Sequence, residues 1–145
     1  MKILMATIGI TAWLSCLLAG CAGVATSDVG KEEFETKCVI CHGVSGKGDG
    51  PQALTLAKKP ADLTMLAKNN GGVFPASRVH EIIDGRLEVA AHGPRSMPVW
   101  GDEFLVQETE RPQDVSEETF LKREVRVNGR IKALVDYLAR LQDMK

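Results

Sequence analysis

The residues with the clearest chemical capacity are two cysteines and a histidine in one short run, Cys38-Val39-Ile40-Cys41-His42. Two thiols three positions apart lie on one side of a helical turn. Each thiol can add across a vinyl group to form a thioether, and the next residue can offer its imidazole to a metal ion. This Cys-x-x-Cys-His spacing is typical of covalent attachment of a c-type haem.

Three other interpretations of the cysteine pair compete with haem attachment. A zinc site needs four ligands, usually with a second Cys or His pair at short spacing, but His80 and His92 are not closely paired. A redox Cys-x-x-Cys motif is expected in a βαβ context, and the chain shows no strand alternation. A disulfide between Cys38 and Cys41 is the third. The histidine directly after the second cysteine favours one covalently bound haem c.

Composition restricts the class of protein. The chain has 145 residues, enough for one domain with a hydrophobic core. Its formal net charge of -1 gives no electrostatic case for binding nucleic acid. Aromatic residues make up only 5% of the chain, so a bound haem would supply apolar bulk that the sequence lacks.

The first 20 residues have the features of an export signal. Lys2 precedes an apolar stretch over residues 3–18, and small residues follow it. The run Leu18-Ala19-Gly20-Cys21 resembles the bacterial lipobox, which is cut before its cysteine. That resemblance implies lipidation of Cys21. An ordinary signal peptide and an uncleaved transmembrane anchor are the alternatives, although the stretch is marginal in length for a span.

The predicted processing accounts for every cysteine. Cleavage removes Cys16, lipid modifies Cys21, and haem takes the two cysteines of the motif, so no thiol remains for a disulfide. The predicted organisation is a signal peptide over 1–20, a tether over 21–29 and a mono-haem domain over 30–145. This organisation predicts a lipid-anchored protein of the bacterial cell envelope that faces the periplasm.

The remaining pattern predicts helices joined by glycine-rich and proline-rich loops. Asp28 is the expected N-cap of a first helix that runs into the motif. The other predicted helices cover 62–69, 75–84, with a stripe of Val79, Ile82 and Ile83, and 117–142, with a stripe of Ile131, Leu134, Val135, Leu138 and Leu141. Residues 43–51 and 93–101 are the expected loops, and a helical turn over 102–107 is expected between the second loop and a polar connection.

A second axial ligand for the iron is expected from a methionine. Met97 lies between Pro94 and Pro98, in a loop whose backbone the prolines stiffen. Met65 falls on a predicted helix, where a core position is expected, and Met144 is at a terminus. Met97 is therefore the predicted sixth ligand, because His/Met ligation is a standard arrangement in cytochromes c.

At this point the sequence resembles the class I cytochrome c family over most of its length, from Gly30 to about Leu141. The resemblance rests on four groups of residues: Gly30, Phe34 and the Cys38-to-His42 run; Gly50-Pro51; Met97-Pro98; and Leu134-x-x-Tyr137-Leu138. It implies an all-α cytochrome c fold whose N- and C-terminal helices cross around one covalently bound haem.

The resemblance also implies roles for single residues. Gly30 is expected where the terminal helices meet closely. The carbonyl of Pro51 is expected to accept a hydrogen bond from His42, and Trp100 resembles a family tryptophan that reaches a haem propionate. Residues 108–120 depart from the family as a longer polar insert. We expect this insert to lie at the surface, as a candidate contact for a partner.

The function predicted from these residues is one-electron transfer without enzymatic turnover. With both axial positions filled, no substrate can bind the iron. The protein is then a membrane-tethered carrier between redox proteins, or a cytochrome subunit of a larger oxidoreductase. The alternative is a haem sensor or peroxidase-like enzyme with an open or exchangeable sixth site. His92 is its candidate distal group, although a lone histidine in a loop is more often a solvated surface residue, and His80 is expected at the surface or at the haem rim.

Overall fold

The computed structural model describes residues 27–86, 97–109 and 117–143. The predicted signal peptide, most of the predicted tether, Cys21, His92, Pro94, Met144 and the middle of the 108–120 insert lie outside these ranges. Within them all regular secondary structure is helical, which confirms the all-α prediction. The helices are α1 (Val29–Glu33), a π-helical turn (Phe34–Cys38), α2 (Val39–His42), α3 (Ala76–Asp84), α4 (Trp100–Thr109) and α5 (Glu117–Arg140).

The start of the domain is joined to the end of α5. Asp28 is the N-cap of α1, as predicted, and its carboxylate accepts a hydrogen bond from the backbone N–H of Lys31 at 3.1 Å. The same carboxylate pairs with the guanidinium of Arg140. Hydrogen bonding to the Lys31 amide lowers the pKa of Asp28. Because α1 and α5 meet at their ends in this way, the first described residues are fixed to the last helix.

The predicted close crossing of the terminal helices at Gly30 is confirmed. A Cβ at Gly30 would lie 2.0 Å from the carbonyl oxygen of Ala133 and 2.9 Å from Cβ of Tyr137. The rings of Phe34 and Tyr137 pack with centroids 5.3 Å apart. Ala133, rather than the expected Leu134, forms the contact, because Leu134 turns into the core. Only glycine lets the two backbones approach this closely.

The core lies along one face of α5. Its buried apolar side chains are Val127, Ile131, Leu134, Val135 and Leu138, packed with Phe34, Cys38, Val79, Ile83 and Phe104. Burying each large apolar side chain contributes about 1.5–3 kcal/mol. Ile82 is 45% exposed, so its predicted place in the α3 stripe is wrong. A nine-residue helix buries a narrow face, and Val79 and Ile83, one turn apart, fill it.

The predicted polar insert begins later than expected. Glu108 belongs to α4 and is only 1% exposed, so its assignment to a surface connection is wrong. Its carboxylate accepts a hydrogen bond from Nε of Arg126 at 2.6 Å and lies 3.9 Å from Nη1 of Arg130. A buried carboxylate needs such cationic partners to offset its lost hydration. Helix α4 is also longer than the expected turn, since it starts at Trp100 and ends at Thr109.

Two further expectations about helices are corrected. Residues 62–69 form two short 3₁₀ turns, Leu63–Met65 and Lys68–Asn70, rather than one helix. Asp62 does cap the first turn, accepting from the backbone N–H of Thr64 at 2.9 Å. The last helix ends at Arg140 rather than at residue 142. No helix in the described part of the chain combines the length and the apolar character required to cross a bilayer.

Candidate functional site

The Cys-x-x-Cys-His run begins at Cys38, the last residue of the π-helical turn. The backbone N–H of Val39 donates to the carbonyl of Phe34, five residues back, which places one more residue in the turn than an α-helix has. The hydroxyl of Thr36 donates to the carbonyl of Glu32 at 2.8 Å, a side-chain bond of the kind that bends helices. Cys38 is thereby buried beside the core. The sequence indicated a plain helix here, and Thr36 is the only local signal for the irregular turn.

The two thiols are unpaired and lie in different surroundings. Cys38 and Cys41 form no disulfide. Burial raises the pKa of the Cys38 thiol to about 12, so this thiol is protonated. The thiol of Cys41 is half-buried and lies 3.7 Å from the side-chain oxygen of Gln52. Redox chemistry requires a thiolate, and a buried protonated thiol does not favour that alternative.

The imidazole of His42 is oriented by one backbone carbonyl. Nδ1 of His42 lies 3.0 Å from the carbonyl oxygen of Ala61. A carbonyl oxygen only accepts, so Nδ1 carries the proton and Nε2 keeps its lone pair for a metal. Burial lowers the pKa of His42, and the bond to Ala61 opposes this shift. The ring is therefore neutral at pH 7, which is the form that binds a metal.

The hydrogen bond expected from Pro51 is made by Ala61 instead. The chain after the motif returns along α2, where the amides of Gly50 and Gln52 donate to the carbonyls of Cys41 and Ile40 at 3.1 and 2.9 Å. Pro51 lies between these two amides and is exposed, so its carbonyl is not the acceptor for the ring. A later pass of the chain brings Ala61 to His42. Any other contact of Pro51 with a cofactor stays a prediction.

The glycine-rich loop caps every carbonyl at the end of α2. The amides of Gly43 and Gly48 donate to the carbonyls of Val39 and His42 at 2.9 and 2.8 Å. A Cβ at Gly50 would lie 2.5 Å from the Val39 carbonyl oxygen and 2.7 Å from the Cys41 carbonyl carbon. The predicted tight loop is confirmed. Its role is to hold the helix end that carries the motif, because these terminal carbonyls have no partner inside the helix.

Met97 lies at a bend just before α4. Its side chain is half-buried and packs against the core, and Pro98 follows it at the surface. Trp100 begins α4 with its ring 5.8 Å from the ring of Phe104. The ligand role of Met97 and the propionate contact of Trp100 remain predictions, as does the distal role of His92, which lies outside the described residues.

His80 is placed away from the motif. It lines a groove of about 450 Å³ between α3 and α5, together with Lys132 and Asp136. Neither the cysteines nor His42 line this groove. In the described ranges no three His, Cys, Asp or Glu side chains cluster so as to hold a metal ion. The zinc interpretation therefore finds no set of ligands in these residues.

The donor set of the motif fits a covalently attached haem. Two unpaired thiols, one helical turn apart, precede a neutral imidazole whose Nδ1 is already hydrogen-bonded. This set supplies two sulfurs for thioethers and one axial nitrogen for iron. Cys38, Cys41 and His42 are the residues that would hold the group, and the rigid loop behind them would fix their positions.

Comparison with known proteins gives one match. A family model described as Cytochrome C oxidase, cbb3-type, subunit III matches residues 25–111. The match covers more than half of the chain and includes the cysteine motif, the glycine-rich loop, Met97 and α4. No curated protein and no solved structure matches the chain significantly.

Proposed function

Because the chain belongs to the c-type cytochrome family of cbb3-type cytochrome c oxidase subunit III, we propose that it transfers single electrons through one haem c bound to Cys38 and Cys41. Family membership supports haem-based electron transfer in general and the cytochrome c fold. The covalent attachment, the axial ligands and the place of the protein in an electron-transfer chain are the finer parts of the proposal.

The observation that carries the proposal is the orientation of His42. Its Nδ1 lies 3.0 Å from the carbonyl oxygen of Ala61, and burial lowers its pKa, so Nε2 would be available to bind iron. Such a hydrogen bond fixes the tautomer and raises the basicity of the ligand. Little rearrangement of this side would then accompany a change in the charge of the iron, which suits electron transfer.

Met97 is the proposed sixth ligand. Its sulfur belongs to a half-buried side chain that packs against the core, next to the first turn of α4. A thioether is a soft ligand that raises the reduction potential relative to a second histidine. With both axial positions filled, the iron has no site for a substrate, and we propose that the protein is an electron carrier rather than an enzyme.

The proposed location is the periplasmic face of a bacterial membrane. A cytochrome c domain of this family indicates an extracytoplasmic site, and the lipobox-like run before Cys21 supports a lipid anchor. Asp28, seven positions after Cys21, is paired with Arg140, so the tether spans at most about 25 Å. The haem domain would therefore meet redox partners close to the membrane, either as a carrier or as a subunit of an oxidoreductase such as an oxidase.

Mass analysis and pyridine haemochrome spectra test this proposal directly. The matured protein, made in cells that attach haem, should weigh one haem more than the processed chain and show saturated vinyl groups. Cys38→Ala and Cys41→Ala should each lose one thioether. Ile40→Ala, at an exposed position between the two cysteines, is the matched control and should keep both. An unmodified mass for the wild type would contradict the proposal.

A further inference from the structure

Met97 lies in the segment between Arg86 and Gly101. Both ends of this segment lie at one group of charged side chains. Nε and Nη2 of Arg86 donate to the two carboxylate oxygens of Asp84 at 2.6 and 3.1 Å. Nη1 of Arg86 donates to both carboxylate oxygens of Glu124 at 2.8 and 2.9 Å. All three side chains are at most 24% exposed. We call Asp84, Arg86 and Glu124 the Arg86 cluster.

The first turn of α4 rests directly on this cluster. A Cβ at Gly101 would lie 2.1 Å from Oδ1 of Asp84 and 2.5 Å from Nε of Arg86. It would also lie 2.9 Å from the backbone carbonyl oxygen of Asp84. Arg86 precedes Met97 in the chain and Gly101 follows it. The cluster therefore brings together the two ends of the Met97 segment.

Met97 lies close in the chain to the contact between Gly101 and the cluster. Gly101 comes four residues after Met97, which limits their separation to about 14 Å even in a fully extended chain. On the other side, Glu124 belongs to α5, whose Ala133 and Tyr137 contact Gly30. The chain from Gly30 continues through the π turn to the cysteine motif. The cluster therefore links the Met97 side of the molecule to the helix pair that carries the motif.

The chemistry of Arg86 suits this position better than that of a lysine. The planar guanidinium donates from three nitrogens to two separate carboxylates, which fixes direction as well as distance. A lysine ammonium would keep the charge but would not make the bidentate pair with Asp84 while also donating to Glu124. The cluster also brings Gly101 next to Arg86, 15 positions earlier in the chain, and such closure costs chain entropy that these contacts must offset.

We propose that Arg86, held by Asp84 and Glu124, is a positioning residue that keeps the Met97 sulfur in place for the iron. This inference rests on the proposed His/Met ligation. It goes beyond that ligation because it assigns the fixed position of Met97 to an ion-pair cluster that includes neither the haem-binding cysteines nor the proposed iron ligands. If the cluster only stabilised the fold, its removal would lower the stability to global unfolding but would not make the sixth ligand easier to displace.

The test uses the matured holoprotein with Glu124→Gln and Arg86→Lys. Asp136→Asn is the matched control, since it makes the same carboxylate-to-amide change on α5 at an exposed pair with Lys132. Two quantities are measured in each protein. The first is the imidazole concentration at which half of the far-red sulfur-to-iron charge-transfer band, the mark of Met97 bound to iron, is lost. The second is the denaturant midpoint of global unfolding. Arg86→Lys keeps the positive charge, and it provides the test if the Glu124→Gln protein does not fold well enough to be isolated.

We expect both cluster variants to lower the half-displacing imidazole concentration by about tenfold, equivalent to about 1.4 kcal/mol. Asp136→Asn should stay within about twofold of the wild type, because exposed pairs contribute little. Val127→Ala, a cavity in the core, should lower the unfolding midpoint without a matching change in imidazole displacement. Unchanged imidazole displacement in both cluster variants would overturn the inference and leave the proposed function intact. A wild type without the far-red band would instead overturn the His/Met ligation and this inference with it.

Discussion

The two sides of the proposed iron site are held by different kinds of interaction. On the side of His42, backbone amides of the glycine-rich loop and the carbonyl of Ala61 make the contacts. On the side of Met97, the Met97 side chain packs on the core, and the charged side chains of the Arg86 cluster meet the first turn of α4 at Gly101. Backbone contacts have few ways to yield, whereas side-chain ion pairs respond to substitution, pH and salt. The comparison predicts that the His42 side, called the proximal side, is rigid. It also predicts that the Met97 side, called the distal side, can be perturbed separately.

The largest effect is expected from adding a methyl group to the loop that holds the motif. In Gly50→Ala the new Cβ would meet three backbone atoms of Val39, Ile40 and Cys41 at 2.5–2.7 Å. Backbone atoms of a capped helix end cannot move aside easily, so the unfolding free energy should fall by about 3 kcal/mol, the upper end of the usual range for overpacking. Denaturant titration of the holoprotein measures this loss, and the yield of attached haem should fall with it.

Gly129→Ala is the control for that substitution. A Cβ at Gly129 meets nothing within 4 Å, and alanine favours a helix over glycine by up to about 1 kcal/mol. The control should therefore be as stable as the wild type or more so. Equal stability of Gly50→Ala and the wild type would mean that the loop does not hold α2 rigidly.

The next largest effect is expected when the proposed distal ligand is removed, because this change should affect only the Met97 side. Met97→Ala should open the sixth position, lower the reduction potential and let carbon monoxide bind the reduced protein, while both thioethers stay in place. Met97→His should restore low-spin iron at a lower potential. Met65→Ala, at the other described methionine, is the control and should keep the native spectrum. A native protein without the far-red band, unchanged by Met97→Ala, would favour the sensor or enzyme alternative.

A smaller effect is expected from a methyl group on the distal side. In Gly101→Ala the two shortest contacts are with side-chain atoms of Asp84 and Arg86, at 2.1 and 2.5 Å, and the third is with the backbone carbonyl oxygen of Asp84 at 2.9 Å, which requires only a small shift. Side chains can turn away at the expense of their ion pair, so the net loss should be about 1–2 kcal/mol. The far-red band should weaken before global unfolding. A loss as large as that of Gly50→Ala would contradict the difference between the two sides.

Spacing in the sequence predicted the features that depend on local order. The Cys38-to-His42 run, the N-cap at Asp28 and the apolar face of α5 each follow from neighbours or from a helical repeat. The close crossing at Gly30 was instead implied by the family resemblance, and the contact with Ala133 confirms it.

Features that depend on tertiary placement were missed or assigned to the wrong residue. Ala61 contacts His42 through a backbone carbonyl, which every residue possesses, so its side chain carries no signal. Glu108 and Arg126 are 18 positions apart, and nothing local shows that this carboxylate is buried. The Arg86 cluster likewise joins Asp84 to Glu124 across two helices. A charged residue in a polar run looks exposed until its partner is known.

The smallest expected effect is the response of the distal side to acid. The hydrogen bond from Arg86 lowers the pKa of Asp84, with further contributions from the charges of Arg86 and His80. Its folded-state pKa is therefore below the unfolded value of about 3.9. Such a carboxylate contributes stability that is present above the unfolded pKa and is lost as pH falls through the folded pKa. As the pH falls below about 4, the far-red band of the Met97 side should weaken before the structure on the His42 side is affected.

Asp62 provides the comparison that isolates this effect. Its pKa is also lowered, first by the hydrogen bond from the side chain of Thr64, but it lies next to Ala61 on the proximal side. Asp84→Asn should remove part of the acid sensitivity of the far-red band, since the amide carries no charge to lose. Asp62→Asn should leave the band's acid dependence as in the wild type and change only that of global unfolding. If the two variants shift the band equally, the two sides respond to acid as one unit and the separation between them fails.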